Sequence, residues 1–348
     1  MKIVHAANFP HIRLKGCFLN SMPFKITNGL IRNGHQVIDY PDRDVLRAFG
    51  KLFGSKKANQ NFIDYCLLVQ PDAIILEHCD TIYAETLRKI RAKLPNVKIM
   101  QINVDAIDAV FADHNINNIK SKLAVVDWTL VTTADKKRLE VFGMEYQSKI
   151  GFIPNPVDAS IEIGRAFEHE TLKYDLNCIA KPTVTRQFCG KSEMMADIIE
   201  RISKNIKTDK VLFSSVSGGS LDGADYQQTL SNCAIGINLS RMNEDYLYTS
   251  DRLAHLMGNG VLALIDVRTG YRDIFSDDEA AFYETEEDFF KLLNFYLENP
   301  KERMKVAENG WKKYHRLFNE RVLAKYVSDL LFGGFKASDY PFPTIGGQ

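Results

Sequence analysis

Short apolar runs alternate with helical patterns along this chain, and that alternation constrains its fold more than any other feature. The first run is KIVHAA at 2–7, followed by a helical stretch at 21–33 that stops at Asn33-Gly34, and then QVIDY at 36–40. Further strands are expected at 73–77, 97–103 and 128–132, with helices near 57–70, 82–93, 115–123 and 134–143. Short strands spaced by helices form parallel sheets, because each crossover must carry the chain back to the same edge. After KIGFIPNPVD the pattern is broken by Pro154, Asn155 and Pro156, which read as a linker. It then resumes with strands at 174–180, 210–214, 234–240 and 261–266 and helices near 190–205, 223–231, 250–257 and 285–297. The expectation is two doubly wound α/β domains, over about 1–153 and 158–310. The stretch 299–331 reads as helical with a break at Asn309-Gly310, and its last part spaces Phe318, Val322, Leu323, Tyr326 and Val327 as one apolar face.

A length of 348 residues accommodates two such domains. Lys plus Arg and Asp plus Glu are both 44, so no global field favours nucleic acid or an anionic membrane, and no nucleic-acid partner is expected. The six cysteines lie far apart without CxxC spacing and read as reduced, packed thiols. The N-terminus lacks the apolar core of a signal peptide, and no apolar run approaches the roughly 20 residues that span a bilayer. A cytoplasmic location follows as the expectation, with any membrane contact peripheral at the inner face.

The stretch richest in chemistry is NLSRMNEDYLYTSDRLAHLMGNG at 238–260. It leaves a strand, passes Tyr248, Thr249 and Ser250, and enters a helix with Arg252 in its first turn. Ser250 or Thr249 can cap that helix and leave backbone N–H groups for an anion. A cation in the first turn opposes the helix dipole, so Arg252 calls for a negative partner. A bound phosphate would serve, and so would Asp251, Glu244 or Asp245. No GxGxxG follows the first strand, which argues against dinucleotide binding there. No DxD stands in the context of a metal-dependent transferase, and HExxH and paired cysteines are absent, so no required metal and no cofactor are expected.

Three pieces carry a family resemblance: SDRLAHLMGNGVLALID, TGYRDIF, and the run from DDEAAFYETEEDFF to KKYHRLFN. In that order they resemble the glycosyltransferase-like domain of spore-maturation CgeB-type proteins, within the GT-B superfamily with its glycosyltransferase family 1-like C-terminal domain. NGLIRNGHQVIDY is similar to the first helix and second strand of such enzymes, and FIPNPVD to their interdomain linker. The resemblance implies two facing Rossmann-like domains, an acceptor domain at 1–153 and a donor domain at 158–310. It also implies that 311–348 return as helix and tail to the first.

The implied activity is metal-independent transfer of a sugar from a nucleotide-sugar donor to a glycan or lipid-linked glycan, in bacterial surface polysaccharide synthesis. The alternatives are a nucleotide-sugar epimerase or hydrolase, or a non-catalytic nucleotide-sugar-binding protein. Lys181 and Arg186, in the loop IAKPTVTR, would meet the departing phosphate with Arg241, Arg252, Tyr248 and Ser250. The Gly- and Ser-rich run 214–226 would wrap the nucleotide, with Tyr226 against its base, or form a surface loop. Three residues after Arg252, His255 stands where many retaining relatives have a ribose-contacting Glu; it would bond ribose or phosphate, or rest on a backbone carbonyl. At strand ends of the first half, Asp105 leads as catalytic carboxylate and His78 follows, in a neighbourhood with Glu77, Asp80 and Asp108. Asp105 could instead cap the following helix. The acceptor would bind near the loop 8–20 and the basic segment KLFGSKK.

Overall fold

In a computed structural model, which describes residues 1–12, 21–50, 54–107, 113–213, 223–248 and 250–345, the chain divides into two compact units. Unit 1 is Met1–Pro156 with Glu320–Gln348; unit 2 is Val157–Asn319.

Unit 1 begins β1 (Lys2–Ala7), α1 (Met22–Arg32), β2 (Gln36–Pro41), α2 (Asp42–Ala48), α3 (Gly54–Val69), β3 (Ala73–Glu77). It continues α4 (Ala84–Lys93), β4 (Lys98–Asn103), α5 (Asp113–Lys122), β5 (Trp128–Val131), α6 (Lys136–Leu139), β6 (Ile150–Phe152). Among the described residues the sheet is parallel throughout, ordered β2-β1-β3-β4-β5-β6. The order reverses direction between β1 and β3, and open α/β sheets bind ligands at the carboxyl edge of such a switch point. β3 is buried along its whole length, as a central parallel strand covered on both faces must be.

Unit 2 runs β7 (Tyr174–Asn177), β8 (Thr185–Phe188), β9 (Lys191–Met194), α7 (Met195–Asn205), β10 (Val211–Leu212), α8 (Gly223–Leu230). Then come β11 (Cys233–Asn238), α9 (Asp251–Gly258), β12 (Leu262–Asp266), β13 (Ala281–Tyr283), α10 (Glu286–Glu298) and α11 (Pro300–Leu317). Its parallel sheet is ordered β10-β7-β11-β12-β13, with the switch between β7 and β11. α10 starts at a capping box in which Thr285 and Asp288 satisfy each other's backbone N–H groups.

Two expectations fail here for identifiable reasons. The expected helix at 190–205 starts only at Met195, because 185–194 form an antiparallel hairpin. Its turn residues Cys189 and Gly190 both have positive φ, 50° and 78°, as a two-residue hairpin turn with right-handed strand twist requires. The break at Asn309-Gly310 is absent: α11 passes through it. Gly310 is there for close approach, since a Cβ would lie 2.1 Å from the Glu279 carbonyl oxygen. The helix ends instead at Phe318, before α12 (Glu320–Phe332). α12 packs on α1 within unit 1, where a Cβ on Gly29 would lie 2.0 Å from the Glu320 carbonyl oxygen and Arg32 bonds Glu320 at 2.7 Å.

Candidate active site

In unit 2 the connection after β7 is the hairpin β8–β9, and it is stitched to the loop after β11. The Gln187 N–H donates to the Ser240 carbonyl at 2.9 Å, Asn243 Nδ2 donates to the Gln187 carbonyl at 2.9 Å, and Asn243 Oδ1 accepts from the Ser240 N–H at 3.2 Å. These bonds hold Arg186, one residue before Gln187, close to Arg241. Arg186 therefore lies on a strand, not in the expected loop, while Lys181 stays in the β7–β8 connection and is exposed.

Arg252 stands in the first turn of α9 and donates through Nη1 to the Leu239 carbonyl. Burial, with Arg252 and Arg241 nearby, lowers the Arg186 pKa to about 10. Its Nε is buried without a hydrogen-bond partner among the described residues, although Nη1 reaches the Thr185 carbonyl at 2.9 Å. Three guanidiniums thus gather at the switch-point edge of one sheet, against their mutual repulsion.

The loop that leads into α9 is held under backbone strain. Leu247, buried with φ 56°, donates its N–H to the Thr269 carbonyl at 2.8 Å and accepts from the Tyr271 hydroxyl at 3.0 Å. Tyr248 follows it, buried, with its N–H on the Asp245 carbonyl at 3.0 Å. Ser250 occupies the helix N-cap in extended conformation, but its side chain makes no capping bond to α9, so the cap expected of it is not formed. Thr249 lies outside the described residues.

His255 is buried and its Nδ1 sits 3.0 Å from Glu162 Oε1, a carboxylate partner that the sequence reading did not name. Glu162 Oε2 accepts from the Asp158 N–H at 2.8 Å. Tyr226, on α8, meets the His255 ring edge to face with centroids 5.4 Å apart. Burial pushes its phenol up from the usual value. The residues 214–222 that precede it lie outside the described residues.

In unit 1 the structure brings the two expected catalytic side chains together. His78, directly after β3, has φ 49°, and its N–H donates to the Ile102 carbonyl at 2.9 Å. Its Nε2 is 3.5 Å from Asp105 Oδ2, and its Nδ1 is 2.9 Å from Asn103 Oδ1. Asn103 Nδ2 in turn donates to the Asp105 carbonyl at 2.7 Å. Asp105 precedes α5 by eight positions and is not its cap; its side chain is 59% exposed. Asn103 was not singled out in the sequence, where it reads only as the end of an apolar strand.

Around this pair, Asp80 bonds Arg43 at 2.8 Å and Asp42 accepts from Thr81 at 2.6 Å, with the Asp42 carboxyl held above the usual range by burial. Of the expected acceptor segments, residues 13–20 and 51–53 lie outside the described residues, as does Asp108. In the described part, Phe9 stacks on His11 and the Ile12 N–H donates to Asp44 Oδ2 at 2.8 Å. Among the described residues no group of three or more His, Cys, Asp and Glu side chains could hold a metal ion, and no helix is long and apolar enough to cross a membrane.

Both units thus place polar side chains at the switch-point edge of a parallel sheet. Residues 197–329 match the family described as Glycosyl transferase-like. Among solved structures, Anabaena HepE in complex with UDP and glucose is similar at TM-score 0.59 and 11% identity, covering 95% of this chain and 99% of that one. A glycosyltransferase from Rickettsia africae is similar at TM-score 0.56 and 10% identity, covering 95% and 97%. The chain has the GT-B glycosyltransferase fold. The N-terminal domain of Candida albicans trehalose-6-phosphate phosphatase is also similar, at TM-score 0.61 and 11% identity over 96% and 97% of the two chains. No curated protein matches the chain in sequence.

Proposed function

We propose that this GT-B protein transfers a glycosyl group from a nucleoside diphosphate sugar to a hydroxyl of a glycan or lipid-linked glycan. The observation that carries the reading is Arg186. It is a guanidinium with a buried donor left over, its pKa lowered by burial and by two neighbouring arginines. A diphosphate supplies the charge and the acceptors that such a group needs. Arg186, Arg241 and Arg252 form the phosphate subsite, with Lys181, Tyr248 and Ser250 beside it and Tyr226 and His255 toward the nucleoside. A uridine donor is the first to test, since Anabaena HepE was solved with UDP.

In the transfer, the acceptor oxygen forms the new bond to the anomeric carbon and its proton passes to the His78–Asp105 pair. The bond from that carbon to the diphosphate breaks with its electron pair left on phosphate oxygen, where the arginines meet the added charge without a metal. The likeness of 248–331 to CgeB-type proteins supports a place in surface polysaccharide synthesis, in the cytoplasm or at the inner membrane face.

The test is nucleotide release from UDP-sugars with and without glycan acceptors. Release that depends on acceptor supports transfer. Release without acceptor points to a hydrolase, and binding without turnover to a non-catalytic binding protein.

A further inference from the structure

Which atom of the His78–Asp105 pair takes the proton follows from a chain of forced hydrogen-bond choices, and it rests on the transferase reading only for its consequence. The Asp105 backbone carbonyl can only accept. It therefore fixes the Asn103 carboxamide with Nδ2 toward it, at 2.7 Å, since the flipped amide would set two acceptor oxygens against each other. With Nδ2 so engaged, Asn103 Oδ1 is the atom that faces His78 Nδ1 at 2.9 Å, and it can only accept. His78 Nδ1 must then carry hydrogen in both the neutral and the charged ring.

We infer that Asn103 locks His78 in the Nδ1–H tautomer, so that Nε2, 3.5 Å from Asp105 Oδ2, is the ring atom that accepts the proton of an acceptor hydroxyl. Asn103 is a positioning residue. His78 Nε2 is the base, and Asp105 stabilises the imidazolium that forms instead of taking the proton itself. The surroundings agree with a fixed ring. Asn103 is 2% exposed, and the cavity shared by His78, Asn103, Asn118 and Lys122 is only about 10 Å³. The left-handed backbone at His78 is itself held by its N–H bond to Ile102.

The experiment is ¹⁵N-edited histidine NMR of the full chain in alkaline buffer, where imidazoles are neutral, with the His78 signals assigned by their loss in His78→Gln. The expected spectrum shows a protonated Nδ1 and an unprotonated Nε2 for His78 in the wild type. A protonated Nε2 with bare Nδ1 overturns the inference. In Asn103→Leu the preference is expected to relax toward a tautomer mixture, with kcat falling about tenfold or more while nucleotide affinity holds. An unchanged spectrum in that variant would also contradict the role of Asn103. If the variant does not fold, the wild-type spectrum alone decides. A locked Nδ1–H tautomer in a protein with no transferase activity would leave the Asn103 lock standing and remove the functional reading, and with it the base role of Nε2. Transfer activity with the opposite tautomer would do the reverse.

Discussion

At the carboxyl edge of the unit 1 sheet the groups that gather are imidazole and carboxylates, with His78 3.5 Å from Asp105 and Asp80 on Arg43. At the same edge of the unit 2 sheet they are guanidiniums, with Arg186 depressed by Arg252 and Arg241. The two sheets share parallel topology, a switch point beside their first strand and burial of their central strands. Their difference is confined to what the strand ends carry. A fold of this kind supplies a place for a site, and the residues grafted there set whether it handles protons or phosphates.

The proposed division of labour can be broken most severely at His78. His78→Gln should lower kcat by about 10²–10⁴-fold with nucleotide affinity kept, measured by steady-state kinetics beside calorimetry. A fall in affinity instead would move His78 to the donor site. Asp105→Asn should also lose turnover while keeping donor binding, and full activity in it would show that the imidazolium on His78 does not need the Asp105 charge.

Unit 1 also has a buried imidazole that should make its stability fall in acid. Burial lowers the His5 pKa from 6.5 to about 4, with Asp39 opposing more weakly. The unfolded chain then binds the proton first as pH falls. The contribution is full above about pH 6.5 and is lost between there and about pH 4, amounting to about 3 kcal/mol. Urea unfolding of the wild type and His5→Asn across that window checks it. Equal pH slopes for the two would contradict the assignment.

On the unit 2 side, Arg186→Ala should weaken nucleoside diphosphate binding by about 1.5–3 kcal/mol, the range for hydrogen bonds to charged groups, with the fold retained. Calorimetric titration reads the loss, and unchanged affinity would remove Arg186 from the phosphate subsite. The smallest expected effect is structural. Gly310→Ala gains about 1 kcal/mol in helix propensity but sets a Cβ 2.1 Å from the Glu279 carbonyl oxygen, so unit 2 should lose a net 1–2 kcal/mol or thereabouts. A raised Tm would show that the contact yields.

Much of this was legible in the sequence, because periodicity and strand-end position are local properties. The β-α alternation, the helix with Arg252 in its first turn and the placing of His78 and Asp105 at successive strand ends all read directly. The β8–β9 hairpin did not, since Cys189-Gly190 lacks the Asn-Gly signature that usually marks such a turn. Gly310 looked like a stop because sequence does not show the Glu279 carbonyl against it. The pairing of His255 with Glu162 and of His78 with Asn103 spans 93 and 25 residues, so neither Glu162 nor Asn103 was named from sequence. Asn103 left one faint signal, a carboxamide ending a strand of otherwise mostly apolar residues.

The central claim, that the arginine edge of unit 2 holds a nucleoside diphosphate, is tested most directly by thermal stabilisation with UDP, GDP, ADP, TDP and CMP. The comparison is between wild type and an Arg186→Ala/Arg252→Ala double variant. The account predicts that a diphosphate, UDP first, stabilises the wild type by about 2.7 kcal/mol at a hundred times its Kd, and that the double variant loses most of this. No stabilisation by any of the five, or the same stabilisation in both proteins, would contradict it.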